Sequence, residues 1–227
     1  MTRKLLLLGT VVGTLGFLTP AYADTIWDFG TAFGTGLQGV SKQYTGDDGT
    51  SKLTASGFQD VVAPNGAAAM NIKNLGTDEA GLGIAAFSGL DSDNEIIPGT
   101  FIQIQFNTPI IGATFSFQAQ SVTDGDAFHV FGSNTAGVLG TTTLPVVGTG
   151  SNPCVSVGGP GNSCETLINL STAGFSFIDV TADAGDVLLR EINAVVPAPI
   201  AGAGLPGVIA ACGGLIALAR RRRKLVV

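Results

Sequence analysis

The clearest alternation of apolar and polar side chains in this chain lies between residues 101 and 120. The run Phe-Ile-Gln-Ile-Gln-Phe at 101–106 has an apolar side chain at every second position on one face, and the run 110–120 alternates in the same way. Period-two alternation predicts β-strands with one buried face and one polar face. Because the turn-forming sequence Asn-Thr-Pro at 107–109 separates the two runs, we expect them to form an antiparallel hairpin.

Shorter runs of strand-forming composition recur along the chain, and no segment between them shows the periodicity of an amphipathic helix. These weaker predicted strands cover 25–29, 52–58, 68–73, 81–87, 127–131, 166–170, 175–180 and 187–194. About ten strands separated by turns predict an all-β fold, an antiparallel β-sandwich of two packed sheets. Most of the 13 phenylalanines lie in or beside these runs, so we expect a core dominated by phenylalanine.

The first 23 residues have the parts of a secretory signal peptide. Arg3 and Lys4 precede an apolar run over 5–18, and Ala21 and Ala23 place small side chains where signal peptidase requires them. We therefore predict a signal peptide over 1–23 that is cleaved after Ala23. Such a segment delivers the following chain to the outside of the cytoplasm.

The other end of the chain carries an uncharged apolar run followed by a cluster of cations. Residues 200–219 contain 20 consecutive uncharged side chains, about what one helix needs to cross a ~30 Å hydrocarbon core. The cationic stop that follows consists of Arg220, Arg221, Arg222, Arg223 and Lys224. Because cationic flanks stay on the cytoplasmic side, we predict one transmembrane helix at about 200–219 with the C-terminus inside.

The order of parts at the C-terminus resembles the PEP-CTERM sorting tail of Gram-negative bacteria. Pro197, Ala198 and Pro199 stand directly before the apolar run and the cationic stop, which gives a tail over 197–227. The resemblance implies processing by an exosortase-type membrane enzyme, often alongside exopolysaccharide production. This chain departs from the family pattern at Ala198, where the family has an acidic residue, which suggests a variant class. A plain membrane anchor that is never cut is the alternative.

Between these two ends lies a segment of strongly acidic composition, 24–196. It holds all 17 acidic side chains of the chain and only four basic ones, Lys42, Lys52, Lys73 and Arg190, so its formal charge is −13. A surface of this charge repels nucleic acid and anionic lipid and attracts divalent cations. Its 173 residues suit one exported domain with a sizeable core. We expect no nucleic-acid partner.

The middle segment is also similar to domains that are commonly attached to such tails. The similarity rests on the segments 91–95, 126–140 and 179–189. It implies a jelly-roll-like version of the β-sandwich, without a defined activity.

The exported segment contains two cysteines, Cys154 and Cys164, in a stretch rich in Gly, Pro and Asn. An oxidising compartment favours their pairing, so we predict a Cys154–Cys164 disulfide. A metal pair is the alternative, although no histidine or further thiol lies nearby in the sequence.

Acidic clusters recur where the predicted strands end, and the sequence Asp-Ser-Asp-Asn-Glu at 91–95 is the densest. Calcium binds six to eight oxygen ligands, and Asp91, Asp93 and Glu95 would supply several from one loop. We therefore name these three residues as the candidate calcium site. The spacing is not that of an EF-hand, and the alternative is that Asp and Asn at these positions stabilise turns.

The sequence favours a binding or structural role over catalysis. His129, the one histidine, alternates with apolar residues in a predicted strand, and no nucleophile elbow accompanies it. We expect a non-enzymatic exported protein, anchored in the inner membrane as a precursor and found at the cell surface or in the extracellular matrix when mature, linked to exopolysaccharide. A calcium-dependent carbohydrate-binding module is the first alternative, although Trp27 and Tyr44 offer few aromatic platforms. A secreted hydrolase that uses paired carboxylates is the second.

Overall fold

The computed structural model describes residues 22–59, 66–75, 79–85, 93–119, 127–144, 162–168 and 174–197. Every regular element in these ranges is a β-strand, which confirms the predicted all-β class. The strands are β1 Tyr22–Asp28, β2 Gly36–Gly39, β3 Ser41–Thr45, β4 Lys52–Gln59, β5 Gly66–Ala68, β6 Met70–Asn74, β7 Ala80–Ile84, β8 Thr100–Phe106, β9 Gly112–Ala119, β10 Ala127–Ser133, β11 Thr142–Thr143, β12 Asn162–Ile168, β13 Phe177–Ala184 and β14 Leu188–Pro197. They belong to one compact unit, Tyr22–Pro197.

The strands form two antiparallel sheets of seven strands each. The first sheet has the order β12-β9-β14-β7-β6-β2, and β1 also pairs with β14. The second sheet has the order β11-β10-β13-β8-β4-β3, and β5 also pairs with β4. Every pairing described is antiparallel. Neighbours in the sheets are mostly distant in sequence.

The predicted hairpin of β8 and β9 is wrong, although both strands exist. β8 pairs with β4 and β13 in the second sheet, whereas β9 pairs with β12 and β14 in the first. The connection 107–111 therefore passes from one sheet to the other. Each strand already has a partner on both sides, and its apolar face contributes to the same core as the other strand's face.

The predicted strand 68–73 is likewise divided between the sheets. β5 pairs with β4 in the second sheet and β6 pairs with β7 in the first, with Ala69 between them. The short strands β2, β3 and β11 were not predicted, because they lack the apolar alternation that marks a strand in the sequence. Their described side chains are mostly exposed.

Both sheets contribute side chains to one hydrophobic cluster. Phe117 of β9 stacks on Phe128 of β10 with ring centroids 3.9 Å apart, and Trp27 of β1 meets Phe106 of β8 edge-on at 5.9 Å. These contacts join the two sheets through large aromatic side chains, which provide much apolar area and a preferred geometry. Phe115, Phe117 and Phe128 are buried as predicted.

The turn between β3 and β4 covers the edge of β1 that faces away from β14. Asp47 hydrogen-bonds Ile26 twice, since the Asp47 backbone N–H donates to the Ile26 carbonyl (3.0 Å) and the Ile26 N–H donates to Asp47 Oδ1 (2.8 Å). Thr25 donates its hydroxyl to Asp48 Oδ2 at 2.8 Å. The two backbone groups of Ile26 on that edge are thereby satisfied within the chain.

Candidate functional site

The outer face of β6 and β7 carries a second segment of chain lying directly on the sheet. β7 has glycine at positions 81 and 83, and a Cβ added at Gly83 would stand 2.1 Å from the Asn94 carbonyl oxygen. A Cβ at Gly81 would stand 2.9 Å from the Leu189 carbonyl oxygen. The two glycines therefore permit the backbone of 93–96 and of β14 to approach β7 at contact distance.

The segment 93–96 is held to the start of β14 by an isolated antiparallel bridge between Ile96 and Val187. The Ile96 N–H donates to the Val187 carbonyl at 2.8 Å, and the Val187 N–H donates to the Ile96 carbonyl at 3.0 Å. Asn94 adopts a left-handed conformation with φ of 66°. Asn adopts this region at a lower energetic cost than most residues with a Cβ, so the backbone conformation at position 94 favours Asn.

A buried ion cluster lies under this segment. Lys73 Nζ is 2.6 Å from Glu79 Oε2 and 2.6 Å from Glu95 Oε1, and the side chains of Lys73 and Glu95 are only 9% and 3% exposed. Burial alone would lower the pKa of Lys73, but hydrogen bonds and charges from Glu79 and Glu95 raise it. Lys73 is therefore a permanent cation that neutralises carboxylates in the protein interior.

Glu95 meets a second carboxyl group, that of Asp186 in the turn before β14. Burial raises the pKa of Glu95, the Lys73 hydrogen bond lowers it, and the charge of Asp186 together with a hydrogen bond between the two side chains raises it further. The net direction is upward. Burial and the neighbouring Asp186 carboxyl group therefore both favour the protonated form of Glu95.

A depression of about 360 Å³ opens beside this cluster. It is lined by residues with amide, carboxyl, ammonium and hydroxyl groups and by one exposed apolar side chain, that of Leu75; the side chain of Ile72, whose residue also borders the depression, is buried in the core: Thr35, Asn71, Ile72, Lys73, Asn74, Leu75, Asp93 and Asn94. Leu75 is 74% exposed. Amide and carboxylate groups beside an apolar side chain can hydrogen-bond hydroxyl groups of a ligand and contact its C–H surface.

The candidate calcium residues fall into different places. Asp91 lies outside the described residues, Asp93 lines the depression, and Glu95 is buried against Lys73. The ammonium group of Lys73, 2.6 Å from Glu95 Oε1, occupies the position that a calcium ion would take on that oxygen. Within the described ranges no group of three or more His, Cys, Asp or Glu side chains could hold a metal ion. A calcium site that includes Asp91 stays a prediction.

A second acidic cluster, Asp47 and Asp48, lies in the turn between β3 and β4 next to β1, and it stabilises that turn, as the alternative interpretation of the acidic clusters expected. Asp48 accepts hydrogen bonds from the backbone of Thr50 and Ser51, both at 2.8 Å, and from the Ser51 and Thr25 hydroxyls. Partial burial acts to raise the pKa of Asp48, but these hydrogen bonds hold it well below its usual range. Its carboxylate is already coordinated by protein donors.

The second sheet carries a buried polar network that the sequence did not predict. Asp179 of β13 is fully buried and accepts hydrogen bonds from Gln103 Nε2 at 2.9 Å and from the Gly140 N–H at 2.7 Å. Gln103 Oε1 in turn accepts from the Gly137 N–H at 2.9 Å. The pair fixes the loop 134–141 on the outer face of the sheet. Alternation placed Gln103 on the polar face but gave no sign that a loop covers it.

Burial raises the pKa of Asp179 to about 6, although its hydrogen bonds from Gln103 and Gly140 act to lower it. A raised pKa is also typical of a general acid, but both oxygens of Asp179 already accept hydrogen bonds, one from Gln103 and one from Gly140 of the loop 134–141. Its arrangement is that of a structural anchor.

Two further side chains singled out in the sequence have structural surroundings. His129 is partly exposed, and its Nδ1 lies 3.8 Å from Asp183 Oδ1 at the surface. Trp27 is fully buried in the core, so it offers no surface platform for a sugar ring. A stacking role for Trp27 is excluded by that burial.

The residues of the two chain ends are only partly described. Ala23 lies in β1 and Pro197 is the last residue of β14, while Ala21, Ala198, Pro199 and the cationic stop lie outside the described residues. The predicted helix at about 200–219 lies there too, and no helix in the described ranges is long and apolar enough to cross a membrane. Cys164 lies in β12 opposite Phe117, and Cys154 falls outside, so the disulfide stays a prediction.

No family model and no curated protein matches this chain. Among solved structures, it has a likeness to the K2 cleaved adhesin domain of Lys-gingipain, with 13% identity and a TM-score of 0.31 over 76% of this chain and 99% of that one. The K1 cleaved adhesin domain of Lys-gingipain from Porphyromonas gingivalis W83 has 14% identity and a TM-score of 0.27 over 76% and 96%. Similarity this low establishes no shared function.

Proposed function

We propose that this chain is an exported surface or matrix protein whose β domain, a jelly-roll-like sandwich, acts by binding a hydroxylated polymer. The observation that carries the binding role is the depression beside Lys73, where Asn71, Asp93 and Asn94 bring hydrogen-bonding groups together next to the exposed Leu75. Such a mixture suits the hydroxyl groups and C–H faces of a polysaccharide.

The charge of the domain narrows the class of ligand. At a formal charge of −13 for 24–196, the domain repels an anionic polymer at long range. The cation closest to the depression, Lys73, is neutralised by Glu79 and Glu95. A neutral polysaccharide therefore fits this surface better than an acidic one.

A matched pair of variants tests the binding role. Asn71→Ala removes an amide from the depression, whereas Asn107→Ala removes an exposed amide at the β8–β9 connection. Exopolysaccharide purified from the producing cells should be retained by the wild type and by Asn107→Ala, and at least tenfold less by Asn71→Ala; alginate serves as the acidic comparison. Equal retention by both variants, or none by the wild type, would contradict the binding site.

The surroundings of the two carboxyl groups whose pKa is raised, Asp179 and Glu95, favour binding over catalysis. Asp179 is hydrogen-bonded by Gln103 and Gly140, and Glu95 lies under the segment 93–96 against Lys73. A general acid must reach the reacting atoms of its substrate. The hydrolase alternative would need the Glu95–Asp186 pair, and Glu95 is only 3% exposed.

Calcium-dependent carbohydrate binding is the second candidate, and the position of Asp93 at the rim of the depression favours it. If Asp93 belongs to a calcium site, calcium chloride should raise the melting temperature of the wild type and a chelator should reverse the change. Asp93→Asn should lose this response, and Asp183→Asn, at an exposed site on β13, should keep it. Equal responses to calcium and magnesium would argue against a specific site.

We further propose that the signal peptide over 1–23 exports the chain across the inner membrane and that the tail 197–227 anchors it until an exosortase-type enzyme processes it. The sequence of the two ends supports this route. Mass spectrometry of the mature protein should find an N-terminus at Asp24, a bond between Cys154 and Cys164, and no peptide that contains Arg220. A mature product that keeps Arg220 would leave the chain as a plain anchored protein.

A further inference from the structure

The depression beside Lys73 follows the outer face of β6, close to one edge of the first sheet. β6 lies between β7 and the edge strand β2. Asn71 and Lys73 alternate with the core residues Met70 and Ile72, so their side chains belong to the outer face of the strand. Both residues line the depression. Its floor is therefore the outer face of β6.

One wall of the depression is the segment 93–96, which lies on the neighbouring strand β7. Gly83 of β7 is opposite Asn71 in the register, and the Asn94 carbonyl oxygen lies where a Cβ at Gly83 would stand, 2.1 Å from it. Asp93 and Asn94 both line the depression. Because the glycine lets the segment rest directly on β7, the segment stands beside β6 as a raised border.

The opposite border is the edge strand β2 and the residue just before it. Leu37 of β2 is opposite Asn71 in the register. Residues directly opposite each other share a face of the sheet, with Cβ atoms about 4.5 to 5.5 Å apart, so Leu37 stands next to Asn71 on the outer face. Thr35 lines the depression on the same side. The depression is therefore a trough that runs along β6 between β2 and the segment 93–96.

An exposed leucine stands at each end of this trough. Leu37 and Leu75 are each 74% exposed, more than any other large apolar side chain in the part of the chain that the structure describes. Leu37 stands beside Asn71, and Leu75 follows Asn71 by four residues, about 13 Å at ~3.3 Å per residue of strand. Single exposed apolar side chains are ordinary, whereas two that bracket one trough lined with amide groups form a continuous contact surface.

We propose that the trough binds an extended segment of a neutral, linear polysaccharide that lies along β6. Leu37 and Leu75 contact the C–H faces of sugar rings at the two ends, and the amide groups of Asn71 and Asn94 hydrogen-bond hydroxyl groups between them. The distance between the leucines exceeds one sugar ring, so a monosaccharide cannot contact both. This inference rests on the proposed binding function and adds the length and direction of the ligand.

The test measures binding as a function of ligand length by calorimetry. The ligands are fragments from disaccharide to hexasaccharide, prepared from the neutral fraction of the exopolysaccharide of the producing cells. Leu37→Ala and Leu75→Ala each remove one apolar contact, and Leu37→Met keeps an apolar side chain. Val138→Ala truncates an exposed apolar side chain in the loop 134–141 of the second sheet and is the matched control. Because the replaced side chains are exposed, the melting temperatures of all four variants should match that of the wild type.

We expect the wild type to bind the hexasaccharide at least tenfold more tightly than the disaccharide. This ratio should fall at least threefold in Leu37→Ala and in Leu75→Ala, and it should stay unchanged in Leu37→Met and Val138→Ala. A wild-type affinity independent of length, or alanine variants that keep the wild-type ratio, would overturn the inference, while weaker retention by Asn71→Ala would still support the proposed function. If the wild type binds no fragment and retains no polysaccharide, the proposed function fails and this inference with it.

Discussion

At the scale of single residues, the buried polar groups in this domain are specific in chemical type as well as in position. Asp179 receives two donors, the Gln103 amide and the Gly140 backbone N–H. An acceptor-only group suits that site, because any donor on residue 179 would face another donor. The amide oxygen of Gln103, Oε1, accepts a hydrogen bond from the Gly137 N–H. A 180° flip of the Gln103 amide would therefore break both of these hydrogen bonds.

Asp179→Asn should destabilise the domain by about 1 to 3 kcal/mol at neutral pH, because its amide would leave a buried donor facing a donor. Urea unfolding measures the change. Asp183→Asn alters an exposed position on the same strand and should stay within about 0.5 kcal/mol of the wild type. Equal stabilities for the two variants would show that the loop 134–141 does not depend on this network.

Gly83 is the second residue whose chemical type is fixed by its neighbours. A methyl group there would stand 2.1 Å from the Asn94 carbonyl oxygen, so the segment 93–96 would have to move off the sheet. We expect Gly83→Ala to cost about 1 to 3 kcal/mol, the range typical of overpacking. Gly34→Ala, where nothing lies within 4 Å of the added atom, should be nearly neutral by thermal denaturation. A neutral Gly83→Ala would mean that 93–96 does not lie on β7.

At the scale of elements, sequence patterns located the strong strands but not their partners. Alternation identified β8 and β9 because each has one apolar face, yet the turn signal between them predicted a hairpin that the two sheets do not form. Periodicity reports which face of a strand is buried and carries no information about which strand lies beside it. Pairing depends on contacts between residues far apart in the sequence, such as Tyr22 with Pro197.

At the candidate site, too, the sequence indicated the residues that are close together in the chain but not the distant residue that contacts them. The sequence selected Asp93 and Glu95 from a dense acidic cluster, and the structure places both at or beside the depression. It did not reveal Lys73 as their neighbour, because Lys73 lies on β6 and its single charge gave no local signal. The chemistry of the cluster changes from cation binding to an internal ion cluster once Lys73 is included.

Lys73 joins three elements, β6, the residue before β7 and the segment 93–96, through its contacts with Glu79 and Glu95. Lys73→Met should cost about 3 to 5 kcal/mol, because it leaves buried carboxylates without a counter-charge. The cost should shrink at acidic pH, where these carboxyl groups take up protons. Urea unfolding at two pH values checks this, with Lys52→Met at an exposed position as the control. A loss independent of pH would point to packing instead of charge.

At the scale of the whole molecule, the acidic balance and the buried carboxyl groups predict how stability depends on pH. The pKa of Asp179 rises from 3.8 to about 6 on folding, and burial together with Asp186 raises that of Glu95. A raised folded-state pKa means that the folded protein binds more protons than the unfolded chain. The associated stability is present below the unfolded pKa and is lost as the pH rises through the folded one.

The domain should therefore be more stable at pH 5 than at pH 8, with Asp179 alone contributing up to about 3 kcal/mol between pH 3.8 and 6. Acidification also reduces the self-repulsion of a segment whose formal charge is −13. Asp48 has the opposite effect on stability. Because folding lowers its pKa, the domain loses stability as the pH falls below the usual pKa of an aspartate and the Asp48 carboxylate takes up a proton. Melting temperatures from pH 3 to pH 8 should pass through a maximum on the acidic side, and Asp179→Asn should flatten the slope between pH 4 and 6. A melting temperature that rises steadily toward pH 8 would contradict the burial of these carboxyl groups.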